Sequence, residues 1–201
     1  MIISNIVDHI IDILMKKTYV LIYCFRIGLY WRGIKHDISR FSLIEFIYSI
    51  ENYDPVEYPL DMRRRNSISQ AYIHYISKND YTIEHWICND EPCKMPFASA
   101  SECIVHLIAS ERILAHFSFS YINVFKRYVT MIDNGLKIHP HTKKFIYYIL
   151  ADLANDEDYK WSIKNILTNK YFKKIYRKSE CVNEKSFERD RCRYEKIFER
   201  D

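Results

Sequence analysis

The sequence predicts an all-α fold, and three observations carry that reading. Among 201 residues there are only 3 Gly and 5 Pro. That is too few for the tight turns of an all-β protein or for a Gly-rich phosphate loop, both of which need residues tolerant of positive φ. Long Ile-, Leu-, Tyr- and Lys-rich segments run without breakers. The hydrophobic fraction of 48% suffices for a core, and 17 Tyr with 11 Phe make that core aromatic. The length fits one domain or one domain with an appendage. We expect a compact helical domain over 1–168 and a basic, charged helix or tail over 169–201.

The elements follow in order. Residues 2–14 place Ile3, Ile6, Ile10, Ile13 and Leu14 at helical spacing, with Asp8 and Asp12 on the other side. A second helix is predicted over 19–35. Ser42 and Glu45 form a capping box, so a new helix starts just beyond His36-Asp37 and leaves that pair at a helix end. Residues 52–66, with Pro55, Pro59 and the run Arg63, Arg64, Arg65, read as an irregular loop. Helix returns over 69–79 and over 81–87, and 89–96, with two Pro, is a second loop. Residues 99–116 carry Cys103, His106, Leu107, Ser110 and Leu114 on or near one helical face. Gly135 closes a helix and Pro140 opens the next, which runs to about 154. Beyond it, Lys170, Lys173, Lys174, Arg177 and Lys178 are interleaved with aromatics. An 11-residue near-repeat ends the chain and sets Phe187, Tyr194 and Phe198 on one stripe, which we expect to be peripheral to the core.

Charge and cysteine usage bound the function classes. A net charge of +4 permits anionic partners without demanding them. Cys24, Cys88, Cys93, Cys103, Cys181 and Cys192 form no compact disulfide pattern, and read as reduced thiols of an intracellular, soluble protein. The apolar N-terminus contains Asp8, His9 and Asp12 and lacks an early basic region, so it is not a signal peptide. Residues 18–25 are too few to span a bilayer. No Gly-rich phosphate loop, nucleophile elbow or HExxH motif is present.

The chemistry concentrates at His36-Asp37. An adjacent His-Asp pair near the end of an apolar helix is the core of the metal site in HD-type phosphohydrolases, an imidazole and a hard carboxylate together suiting a divalent ion. Read plainly, the pair is a helix end whose His is favoured by the C-terminal dipole. The block 28–46, Tyr19-Val20, Asn79, Glu84, Trp86, Met95-Pro96, Glu102 and the run 136–142 with His139-Pro140 and Thr142 stand together in order and spacing. Over roughly 10–155 they resemble an uncharacterised family of small helical proteins, common in bacteria and phages, with an HD-like His/Asp signature.

The resemblance implies a compact HD-like helical domain and a set of ligand positions. Lys16-Lys17 stands where it implies a His-Lys pair, Tyr75 where it implies a His, with His74 one residue early, and Tyr81-Thr82 where it implies two His. His106 stands where it implies an Asp, and only His36, Asp37 and His139 match directly. The scaffold is kept and most implied ligands are replaced. An ammonium at Lys16 repels a divalent cation. The expected function is therefore a degenerate HD-like domain that binds and does not catalyse, with no cofactor and an unknown protein or nucleic-acid partner.

Two alternatives stand beside it. One is a metal-dependent phosphohydrolase with a reduced set, His36, Asp37, His74 and His106. The other is a nucleic-acid-binding accessory protein using Arg63, Arg64, Arg65 and residues 170–178. Cys88, Cys93, Cys103 and His106 make a further zinc-type set.

Overall fold

The computed structural model describes residues 2–51, 69–156 and 160–199; Arg63, Arg64 and Arg65 lie outside the described residues. Ten α-helices carry the described chain: α1 (Ile2–Arg26), α2 (Tyr30–Lys35), α3 (Leu43–Glu51), α4 (Gln70–Lys78), α5 (Phe97–Ala115), α6 (Tyr121–Asp133), α7 (Pro140–Asn155), α8 (Lys160–Ile166), α9 (Asn169–Cys181) and α10 (Glu184–Tyr194). The described strands are β1 (Ile87–Cys88) and β2 (Glu91–Pro92), which pair antiparallel as one hairpin. The all-α expectation holds. No helix among the described residues is long and apolar enough to cross a membrane.

The first two predicted helices are one. No breaker stands between residues 14 and 19, and the buried positions His9, Ile13, Lys16, Val20, Tyr23 and Ile27 recur at spacings of three and four along a single stripe. The chain turns at Gly28, whose φ of +74° a β-carbon would oppose. Asn169 locks that turn by donating from Nδ2 to the Ile27 carbonyl at 2.6 Å. α2 then folds back so tightly on α1 that a β-carbon at Gly33 would lie 2.8 Å from Cys24 Cβ.

α3 starts at Leu43, as the capping residues predict, but the box is only half built. The Glu45 amide lies 3.5 Å from Ser42 Oγ, while the buried Glu45 carboxylate accepts from Ser39 and pairs with His74 Nδ1 at 2.6 Å. Ser69 caps α4, and the His139 ring caps α7 by accepting from the His141 amide. The helix expected over 81–87 is a short 3₁₀ turn, Glu84–Trp86, that runs straight into the hairpin. Its loop, Asn89-Asp90, takes φ of +51° and +68°, the two-residue turn that matches strand twist.

α5 and α7 form the centre. α7 is buried almost all round, from Phe145 to Leu150 and at Leu153, as a helix enclosed on every side must be. α1 packs on α5; α6, α9 and α10 pack on α7. The stripe expected to be peripheral is core. Phe187 is fully buried, its ring 5.0 Å from Tyr147, and Phe198 sits 5.2 Å from Phe125. Tyr148 and Tyr147 donate to Asp190 and Glu195, so the polar side of the segment is tied down as well. A few aromatics outweigh the high charge around them.

Candidate functional site

The site forms where α1, the end of α2, the segment after α4, and α5 meet. Helical spacing places Glu102, Cys103, His106, Leu107 and Ser110 on the face of α5 that looks toward α1 and α2. The end of α2 delivers His36 and Asp37 onto it. Asp37 adopts φ +54°, a left-handed conformation that a short polar side chain tolerates better than most and that costs on the order of 1 kcal/mol. Its carbonyl accepts from the Arg40 amide, opening a 3₁₀ turn that brings the buried Arg40 side chain back over it.

His36, Asp37 and His106 each offer one ligand atom, and these lie within 4.8 Å of one another. His36 Nε2 is 3.4 Å from His106 Nδ1 and 3.6 Å from Asp37 Oδ2. The other nitrogen of His36, Nδ1, meets Glu102 Oε1 at 2.7 Å. With Nδ1–H donated there, Nε2 is left with its lone pair toward the cluster, the arrangement a carboxylate imposes on a metal-binding imidazole. Arg32 holds Glu102 in turn, Nε to Oε2 at 2.5 Å, and also pairs with Asp80.

One oxygen of Asp37 is held by the protein's own groups, while Oδ2 is buried with no hydrogen-bond partner. Tyr81 donates to Oδ1, and Tyr75 is hydrogen-bonded to the Tyr81 hydroxyl at 2.7 Å. Arg40 Nε lies 3.6 Å from Oδ2. Burial alone pushes the Asp37 carboxyl up. Electrostatic interaction with the His36 ring, and with the charges of Arg40 and Lys16, outweighs it and holds the group well below the usual carboxylate range. Burial, then the charge of Lys16, push His106 well below its ordinary value, so it is a neutral imidazole. Tyr81 is pushed well above its own by burial and by Asp37, and stays a phenol.

Lys16 is the residue that decides the character of the site. It sits on the buried stripe of α1 with only 1% of its surface exposed, and its charge acts on both Asp37 and His106. A pocket of about 860 Å³, counting its open mouth, extends from this point. Lys16, Arg40, Tyr75, Tyr81 and His106 line it together with Leu107, Met131 and Arg127.

A family model described as a family of unknown function, DUF5662, matches residues 5–152. The chain belongs to this family. No curated protein and no solved structure matches it. The DUF5662 span begins in α1 and ends in α7, so every residue of the cluster lies inside it and α8 to α10 lie beyond it.

Of the residues singled out in the sequence, His36, Asp37 and His106 are brought together, and the replaced positions Lys16 and Tyr81 join them. His74 is not brought in. It faces the other way along α4 and pairs with Glu45, because the inward position belongs to Tyr75. His139 serves as a helix cap. The Cys88, Cys93, Cys103, His106 set does not assemble: Cys88 and Cys93 are exposed on the hairpin and Cys103 is buried in α5. All six cysteines are free thiols.

Lys170, Lys173, Lys174, Arg177 and Lys178 are exposed along α9, but the aromatics between them turn inward. Phe172 is fully buried, and Tyr171 and Tyr176 donate to Asp152 and to the Met95 carbonyl, so none of the three is presented for base stacking. Glu102, Arg32 and Arg40 fall among the positions that carry the family resemblance, but nothing in the sequence assigned them these contacts. Glu102 and His106 do stand one helical turn apart, which is the spacing that could have linked them.

Proposed function

We propose that this protein is a degenerate HD-like helical domain that acts by binding a ligand in the pocket beside His106, with internal cations where a catalytic metal would act. The observation that carries the reading is Lys16, a buried ammonium whose charge bears on two of the three candidate ligands. Three donors suit a divalent ion in kind, and Glu102 orients His36 as a metal site requires. The charges around them do not fit. A divalent cation held there meets the charges of Lys16 and Arg40, which oppose what the Asp37 carboxylate offers.

A second reading, a metal-dependent phosphohydrolase with a reduced set, is favoured by the convergence of His36, Asp37 and His106 themselves. Elemental analysis separates the two. Wild-type protein prepared with Mn, Fe and Zn in the medium should carry far less than one metal per chain. Lys16→His, alone or with Tyr81→His, should gain metal, and His36→Ala should remove that gain. Stoichiometric metal in the wild type, lost in His36→Ala and Asp37→Ala, would overturn the proposal. So would Mn- or Mg-dependent nucleotide hydrolysis sensitive to the same two changes.

A further inference from the structure

The hairpin carries a second constellation, separate from the pocket. Its register pairs Cys88 with Glu91 and Ile87 with Pro92, and the Cys93 amide extends the ladder by donating to the Trp86 carbonyl at 2.7 Å. Side chains alternate along a strand, so Cys88, Glu91 and Cys93 share one face, with the two cysteines as diagonal neighbours across the two-residue loop. Both are exposed free thiols. The neighbouring Cys88 side chain pushes the Cys93 thiol up from its ordinary value.

We propose that Cys88 and Cys93 are a redox-active dithiol that closes to a disulfide when it meets a small-molecule disulfide such as oxidised glutathione. The Cys88 thiolate attacks one sulfur of the oxidant, forming a mixed disulfide and expelling one glutathione thiolate. Cys93, losing its proton to solvent, then attacks the Cys88 sulfur and expels the second. Two protein thiols are oxidised, one disulfide of the oxidant is reduced to two thiols, and one S–S bond replaces another at each step.

The geometry also says what kind of disulfide this is. Diagonal positions on a ladder lie about 7–8 Å apart. A relaxed disulfide needs α-carbons within about 4.4–6.8 Å. The hairpin must tighten to close the bond, which marks it as readily reduced and regulatory in character. The hairpin is tied to the residue beside Tyr81, because Trp86, paired with Cys93, donates from Nε1 to the carbonyl of Asp80.

The test is equilibration of the full chain in glutathione redox buffers, acid quenching, and peptide mapping by mass spectrometry. The expected result is an intramolecular 88–93 disulfide, seen as a mass loss of about 2 Da. It should persist in a Cys181→Ser/Cys192→Ser variant, which removes the other exposed thiols, and reverse at cytosol-like glutathione ratios. Cys88→Ser should instead accumulate a glutathione adduct. An oxidised wild type that carries only separate glutathione adducts, or that pairs Cys88 or Cys93 with Cys181 or Cys192, would overturn the assignment. The mapping reads the wild-type chain, so it decides the question whether or not a variant folds.

Discussion

A buried lysine beside a buried aspartate is a poor way to stabilise a fold, since the desolvation of two charges rivals their attraction. Lys16, Arg40, Asp37 and the His36–Glu102 pair therefore make more sense as a specified site than as a stabilising one. The same stripe of α1 carries a second titratable group one heptad earlier. His9 is fully buried with its ring 5.7 Å from Phe46, and burial, helped by the charge of Arg40, lowers its pKa to about 4. The unfolded chain then binds a proton at higher pH than the fold does. Stability is intact above about pH 6.5 and falls as pH drops toward 4, by on the order of 3 kcal/mol from this residue. Urea unfolding at pH 7.5 and 4.5 should show that loss, and His9→Leu should shrink it. An equal loss in the variant would assign the acid sensitivity elsewhere.

Among the elements, the α1–α2 crossing does most to position the site, because His36 ends α2. Gly33 makes the crossing possible. Its missing β-carbon would meet Cys24 Cβ at 2.8 Å and the Leu21 backbone at 3.3 Å, neither of which is the yielding end of a long side chain. Gly33→Ala should therefore destabilise by roughly 1–2 kcal/mol, the overpacking cost exceeding the gain in helix propensity. A thermal melt reads this directly. A variant more stable than wild type would mean that α2 sits further from α1. At the same scale the sequence was clearest where terminus signal and pattern agreed, at Gly135 and Pro140. It misled at residues 81–87, where the apolar spacing resembles a helix but Asn89-Asp90 commits the chain to a hairpin.

For the molecule as a whole, the C-terminal segment is the test of what holds the core together. Phe172, Ile175, Phe187 and Ile197 all belong to the central cluster around α7. Truncation after Cys181 should lower the melting temperature sharply or prevent folding, and Phe187→Ala alone should cost about 3–5 kcal/mol. A truncated chain that melts near the wild type would return the segment to the periphery.

The sequence by itself determined the helical class, several helix boundaries and the place of His36-Asp37 at a helix end, because periodicity and capping are local and act within a few residues. It also contained the rule for Lys16, which stands in step with Ile13, Val20 and Ile27 on the buried stripe. What only the tertiary structure decided is that residues 16, 36, 37, 81, 102 and 106 converge while His74 does not. Which face of a helix is buried is written in its own pattern. Which buried faces meet depends on how helices far apart in the chain cross, and at this site one close glycine contact sets that crossing.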